Sequence, residues 1–96
     1  MMVKDIFKSP DKWCQGTGAR NAFGEPVEWR SRNARSWCLL SAVFLAYPFH
    51  QRVAVMTRIG KYLRVEREEN EEIEKWNDSP STTFLDVLKL VETLEI

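Results

Sequence analysis

Three side chains in this 96-residue sequence are of the types that build a cysteine nucleophile: Cys38, His50 and Asp78. A working thiolate needs a base within hydrogen-bond reach and a third group that orients the base. Cys38 stands inside the apolar run "WCLLSAVFLA", where a thiol packs as a small hydrophobe and no cation or predicted helix N-terminus is aimed at it. His50 follows Phe49 near a predicted helix start and reads as a boundary residue. The constellation would have to be assembled from unrelated positions, so the reading is non-enzymatic, with no catalytic residue. Cys14, Cys38 and His50 lack paired ligand spacing, so neither a metal nor any other cofactor is predicted. Gly16-Thr17-Gly18 is not followed by the Gly-Lys-Ser/Thr ending of a phosphate loop.

Two other groups of residues carry more weight. In "IEKWNDSPSTTFLDVL", Trp76 is a large apolar anchor at the end of an acidic stretch, and Asn77 and Asp78 suit a helix terminus by bonding nearby backbone. Pro80 stops continuation and Thr83 starts the next helix. The motif Trp76, Asn77, Asp78 and Thr83 is therefore read as a structural joint between helices. In "WRSRNARSW", Arg30, Arg32 and Arg35 lie between Trp29 and Trp37 at a predicted helix start, where arginine opposes the macrodipole unless an anion neutralises it. With Arg58, Lys61 and Arg64 they make a candidate anion- or partner-binding face together with Trp29.

The elements that must position these residues follow from periodicity. Ala34, Trp37, Cys38, Ser41, Ala42 and Leu45 recur at helical spacing, which predicts a buried helix over 32–47, stopped by Pro48. Val53, Val55, Met56, Ile59, Gly60 and Leu63 predict a second over about 50–64, with the basic stripe on its other side. Asn70 as cap, Glu71 and Glu72 in the first turn and Lys75 near the end predict a short helix over 70–77. Thr83 with Asp86 three residues on predicts a capped last helix over 84–95. Before residue 30, Ser9-Pro10, Gly16, Gly18, Asn21, Gly24 and Pro26 predict a small hairpin or irregular element near residues 15–30. The fold class is mainly α with minor β, about four helices in one small globular domain covering 1–96.

Charge is divided along the chain. Residues 1–64 hold eleven Lys/Arg against four Asp/Glu, and residues 65–96 hold three against ten. Either the acids of 66–74 fold onto the arginines, or the basic half faces an anionic partner; the equal numbers favour the first. The start "MMVKDIFKSPDKW" has no apolar block of signal-peptide length, and no run of eighteen apolar residues occurs, so a soluble cytoplasmic chain with free thiols and no membrane contact is expected.

Trp13-Cys14-Gln15-Gly16, Cys38-Leu39-Leu40-Ser41-Ala42, and Trp76-Asn77-Asp78 with Thr83 together resemble a family of short bacterial and phage proteins of unknown function with a Trp-Asn-Asp motif (the domain of unknown function 6197 type). Ser41 stands where the family usually has Gly, and the stretch before Trp13 is shorter than its usual first helix. The resemblance implies a small helical domain and, through its phage members, an accessory role toward a host or phage partner; it implies no activity. The expected function is a non-catalytic binding protein with a protein partner, and the alternative is an electrostatic nucleic-acid binder using the basic face.

Overall fold

The chain opens with one turn of helix, α1 (Val3–Ile6), and a 3-10 turn at Pro10–Lys12. Three two-residue strands follow, β1 (Ala19–Arg20), β2 (Pro26–Val27) and β3 (Ser36–Trp37), and then helices α2 (Leu39–Ala46), α3 (Phe49–Leu63), α4 (Glu69–Asp78) and α5 (Phe84–Leu94). The computed structural model describes residues 1–66 and 69–96. The mainly helical class with a small hairpin near 15–30 is what the structure has, with a third strand added and a first helix of a single turn.

The antiparallel sheet runs in the order β2-β1-β3, pairing Ala19 with Val27 on one side and with Trp37 on the other. Its hairpin turn is held by Asn21, whose Oδ1 accepts the amides of Phe23 at 2.9 Å and Glu25 at 3.0 Å. Gly24 takes φ +80° in that turn, a region that a side chain would strain.

β3 corrects the helix expected over 32–47. Ser36 and Trp37 pair with Arg20 and Ala19, the Cys14 amide donates to the Trp37 carbonyl at 3.1 Å, and the Cys38 amide donates to Gly18 at 3.0 Å. These bonds hold residues 36–38 extended, so α2 begins only at Leu39 and Cys38 becomes its N-cap. Ala34 and Trp37 match the helical period because they too turn inward, but they do so from a turn and a strand. A short apolar run does not distinguish the two geometries by period alone.

α2 is apolar apart from Ser41, and Leu39 through Val43 are buried, the pattern of a helix inside the core. Tyr47, the residue before Pro48, is extended at φ −122°, ψ 139° and ends it as expected. α3 packs beneath with Val55, Met56, Ile59 and Gly60 buried. α4 starts at Glu69, so Asn70 is an interior residue and not the cap expected of it. Phe7, Leu39, Val43, Ile59, Ile73, Leu90 and Ile96 meet in one core. Ile96 is fully buried, and its carbonyl accepts the Val3 amide at 2.5 Å and the Tyr47 hydroxyl at 2.9 Å.

α5 has the expected start. Thr83 Oγ1 accepts the Asp86 amide at 3.3 Å, while Asp86 Oδ2 accepts the Thr83 amide at 2.9 Å, a reciprocal capping box. Thr83→Ala is expected to lower stability by about 0.5–2 kcal/mol, read as a shifted denaturant midpoint with an unchanged slope.

Candidate functional site

Asn77 lies at the end of α4 and is 1% exposed. Its Oδ1 accepts two bonds, from Trp13 Nε1 at 2.7 Å and from the Leu39 amide at 3.0 Å. Its Nδ2 donates two, to the Cys14 carbonyl at 3.1 Å and to Asp78 Oδ1 at 2.9 Å. A primary amide has two donors and one acceptor oxygen with two lone pairs, so every position is occupied. Asp78 Oδ1 also accepts the Gly16 amide at 2.9 Å, at a glycine with φ +83°. Gln15 Nε2 donates to the carbonyls of Asn77 at 2.8 Å and Ser79 at 2.9 Å, which closes the free carbonyl end of α4.

The joint expected at Trp76-Asn77-Asp78 is thus tertiary. Asn77 does not bond the local turn; it ties α4 to the 13–16 loop and to the first amide of α2. Trp76 is half-buried against the core. Trp13, Gln15 and Gly16 were absent from the expected site. Their signal was the Trp13-Cys14-Gln15-Gly16 stretch, which gives polar and aromatic residues beside a turn glycine but not their partner more than sixty positions away.

Next to this network is a cleft of about 200 Å³, lined by the Gly16-Thr17-Gly18 backbone loop, Cys38, Leu40, Ser41, Glu74, Asn77 and Asp78. Glu74 and Asp78 are four residues apart on α4 and share a helix face. Ser41 comes from the first turn of α2, where its amide donates to Cys38 Sγ at 3.4 Å and its hydroxyl is 3.3 Å from the same sulfur. Cys38 therefore does sit at a helix N-terminus, contrary to its expected place within a helix. It is 7% exposed and already bonded there. His50 is exposed on the first turn of α3 and lines no part of this cleft.

Both thiols are free and buried. Burial pushes the Cys14 thiol above its ordinary value of 9.0, with Cys38 and Asp78 adding to the rise and Ser36 and Arg20 opposing it. A raised folded-state value means that the folded chain holds this proton more tightly. The associated stability is complete below pH 9.0 and declines as pH rises through the folded value. Slow labelling by a thiol reagent in the native state, and loss of stability above that pH that Cys14→Ala reduces, are the expected measurements.

The basic residues meet different parts of the fold. Arg30, Arg32 and Arg35 belong to the turn before β3 and not to a helix start. Arg30 covers Trp29 at 5.1 Å, and Arg52 lies 5.6 Å from the same ring, which also packs edge-on to Phe44. Arg35 is tied to the carbonyls of Arg32 and Ala34, both at 2.9 Å. Arg58 donates to the Leu94 carbonyl and so closes the end of α5, while Lys61 and Arg64 face solvent.

Among the described residues the expected folding of acid onto base is not seen. Among the described residues the ion pairs are Lys12 with Asp11 and Lys75 with Glu72, so no acid of 69–74 meets these arginines. Arg67 and Glu68 lie outside the described residues. Hydrogen bonding to carbonyls and stacking on Trp29 engage part of the basic set instead.

Among the described residues no helix is long and apolar enough to cross a membrane, and no group of three His, Cys, Asp or Glu side chains is arranged to hold a metal ion. A family model described as "Family of unknown function (DUF6197)" matches residues 3–95. No curated protein and no solved structure matches the chain.

Proposed function

We propose, from the premise that this chain belongs to the family of unknown function DUF6197, that it is a non-catalytic accessory protein that binds a protein partner at the cleft beside Asn77. The observation that carries this reading is the saturation of Asn77 and its neighbours. The most polar buried constellation is spent on holding α4, the 13–16 loop and α2 in register, and Cys38 has Ser41 rather than a general base beside it. What the cleft offers a visitor is recognition chemistry: the Glu74 and Asp78 carboxylates, Ser41 and the Gly16-Thr17-Gly18 backbone. These groups suit a cationic or hydrogen-bond-donating side chain of a partner. A phage or mobile-element setting belongs to the same proposal and rests on the resemblance of its three motifs; a cytoplasmic location is proposed with it.

The second reading, an electrostatic nucleic-acid binder, is favoured by one observation. Arg30, Arg32, Lys61 and Arg64 have no ion-pair partner among the described residues. Against it, both arginines on Trp29 and the edge contact with Phe44 leave that ring poorly placed to stack on a base.

Affinity capture on nuclease-treated extract with wild-type and Glu74→Lys baits, beside DNA and RNA titrations, separates the two. The expected result is a protein retained by wild type and lost with Glu74→Lys at unchanged Tm, with nucleic acid binding no tighter than about 100 µM at physiological salt. Micromolar nucleic-acid binding whose salt slope flattens on Arg30→Ala or Arg32→Ala overturns the first reading in favour of the second.

A further inference from the structure

Phe49 and Val53 stand four residues apart on α3 and so project from one helix face. They are 80% and 68% exposed. Beside Val53, Met56 and the first turn of α4 at Glu69, Asn70 and Glu71 line an open groove of about 450 Å³. Its floor is apolar and its wall is acidic. Neither Glu69 nor Glu71 is in an ion pair among the described residues.

The same helix carries the complement to that groove. α3 begins after Pro48 with no side chain capping its first amides and no acidic residue in its first turn. Its leading N–H groups therefore keep the partial positive charge of a helix N-terminus. Phe49 is mounted on that end. An exposed ring on an electropositive helix end matches a groove with an apolar floor and an acidic wall in both shape of chemistry and sign of charge.

Phe49 and Met56 lie about 10 Å apart along the axis of α3, at 1.5 Å per residue. A two-fold axis crossing α3 near Val53 brings the ring of each copy to the groove of the other, with the two α3 helices antiparallel. We propose that the occupant of this face is a second copy of the chain, with Phe49 of each protomer seated between Val53 and Met56 of its partner and Glu69 and Glu71 facing the partner's α3 N-terminus. Such a contact is isologous and closes at two. A net charge of +0 at pH 7 leaves no overall repulsion between copies. The groove shares no lining residue with the Asn77 cleft, and the dimer does not depend on the partner proposed there.

Sedimentation of the purified chain over roughly 5–500 µM tests this, because that range brackets a weak contact with a Kd on the order of 100 µM. The expected mass rises from the 11.3 kDa protomer toward twice that value and never beyond it. Phe49→Asp and Val53→Lys, both at exposed positions, are expected to weaken association at least about 10-fold with unchanged circular dichroism. The paired change Glu69→Lys, Glu71→Lys is expected to weaken it as well. A wild-type chain that stays at the protomer mass throughout, a dimer untouched by both Phe49→Asp and Val53→Lys, or growth beyond two copies overturns the proposal.

Discussion

Asn77→Ala is expected to destabilise the chain by about 3–5 kcal/mol, a large part of the 5–15 kcal/mol that holds a typical domain together. The side chain contributes little apolar burial, so the effect comes from what it leaves behind. Without it, the Leu39 amide and the Cys14 carbonyl lose bonds at buried positions, and Trp13 Nε1 loses one at a half-buried position. Each buried group stripped of its partner costs about 1–3 kcal/mol. At roughly 4–8 °C per kcal/mol for a chain of this size, Tm should fall by at least about 12 °C. Thermal and denaturant unfolding of Asn77→Ala check it; a Tm within about 3 °C of wild type would mean that the network does not hold the fold.

Asn77→Asp separates hydrogen bonding from size. The substitution keeps an acceptor toward Trp13 and Leu39 but replaces the donating nitrogen with an oxygen facing the Cys14 carbonyl and Asp78 Oδ1. Desolvation and the Asp78 carboxylate both raise the folded-state value of the new acid above its unfolded value of about 3.9. The folded chain then binds the proton more tightly, so the deficit relative to wild type is smallest below about pH 4 and widens as pH rises through the folded value.

Local signals in the sequence were legible where one element's own residues decide its geometry. Thr83 with Asp86, Pro48 after Tyr47, and the Asn21 and Gly24 turn are short-range devices, and each appears where its residue types place it. Trp76-Asn77-Asp78 ends α4 where its residue types place a helix terminus, but not through the local backbone bonds expected of Asn77 and Asp78. What Asn77 joins was not legible, because its partners are supplied by Trp13, Cys14 and Leu39 through the closed fold, and no spacing along the chain encodes a bond across 63 positions. The start of α2 was misplaced because Ser36 and Trp37 obey a helical period while their backbone bonds go to β1. The partners of the arginines were likewise hidden: equal counts of acid and base do not state which carbonyl or ring each guanidinium will meet, and Arg58 meets the end of α5.

Ile73→Ala is the other change expected to have a large effect, about 2–5 kcal/mol, with a consequence confined at first to one helix. α4 has the sequence ENEEIEKWND, and only Ile73 and Asn77 are fully buried in it. Trp76 adds a half-buried contact. A ten-residue polar helix has little stability of its own in water, so its persistence rests on these three side chains. Removing the Ile73 side chain opens a cavity in the core and withdraws the main apolar anchor, so α4 should open at lower free energy than the rest of the chain. Native-state hydrogen exchange is expected to show α4 amides losing protection before those of α5, where Val87, Leu90 and Val91 remain buried. Equal protection of the two helices would show that α4 opens only with the whole chain. Since α4 carries Glu74 and Asp78 to the cleft, the same opening should weaken binding of the partner proposed there in proportion to the population of the opened state. Glu74→Lys, by contrast, should weaken binding with α4 still protected, which separates loss of the helix from loss of the contact.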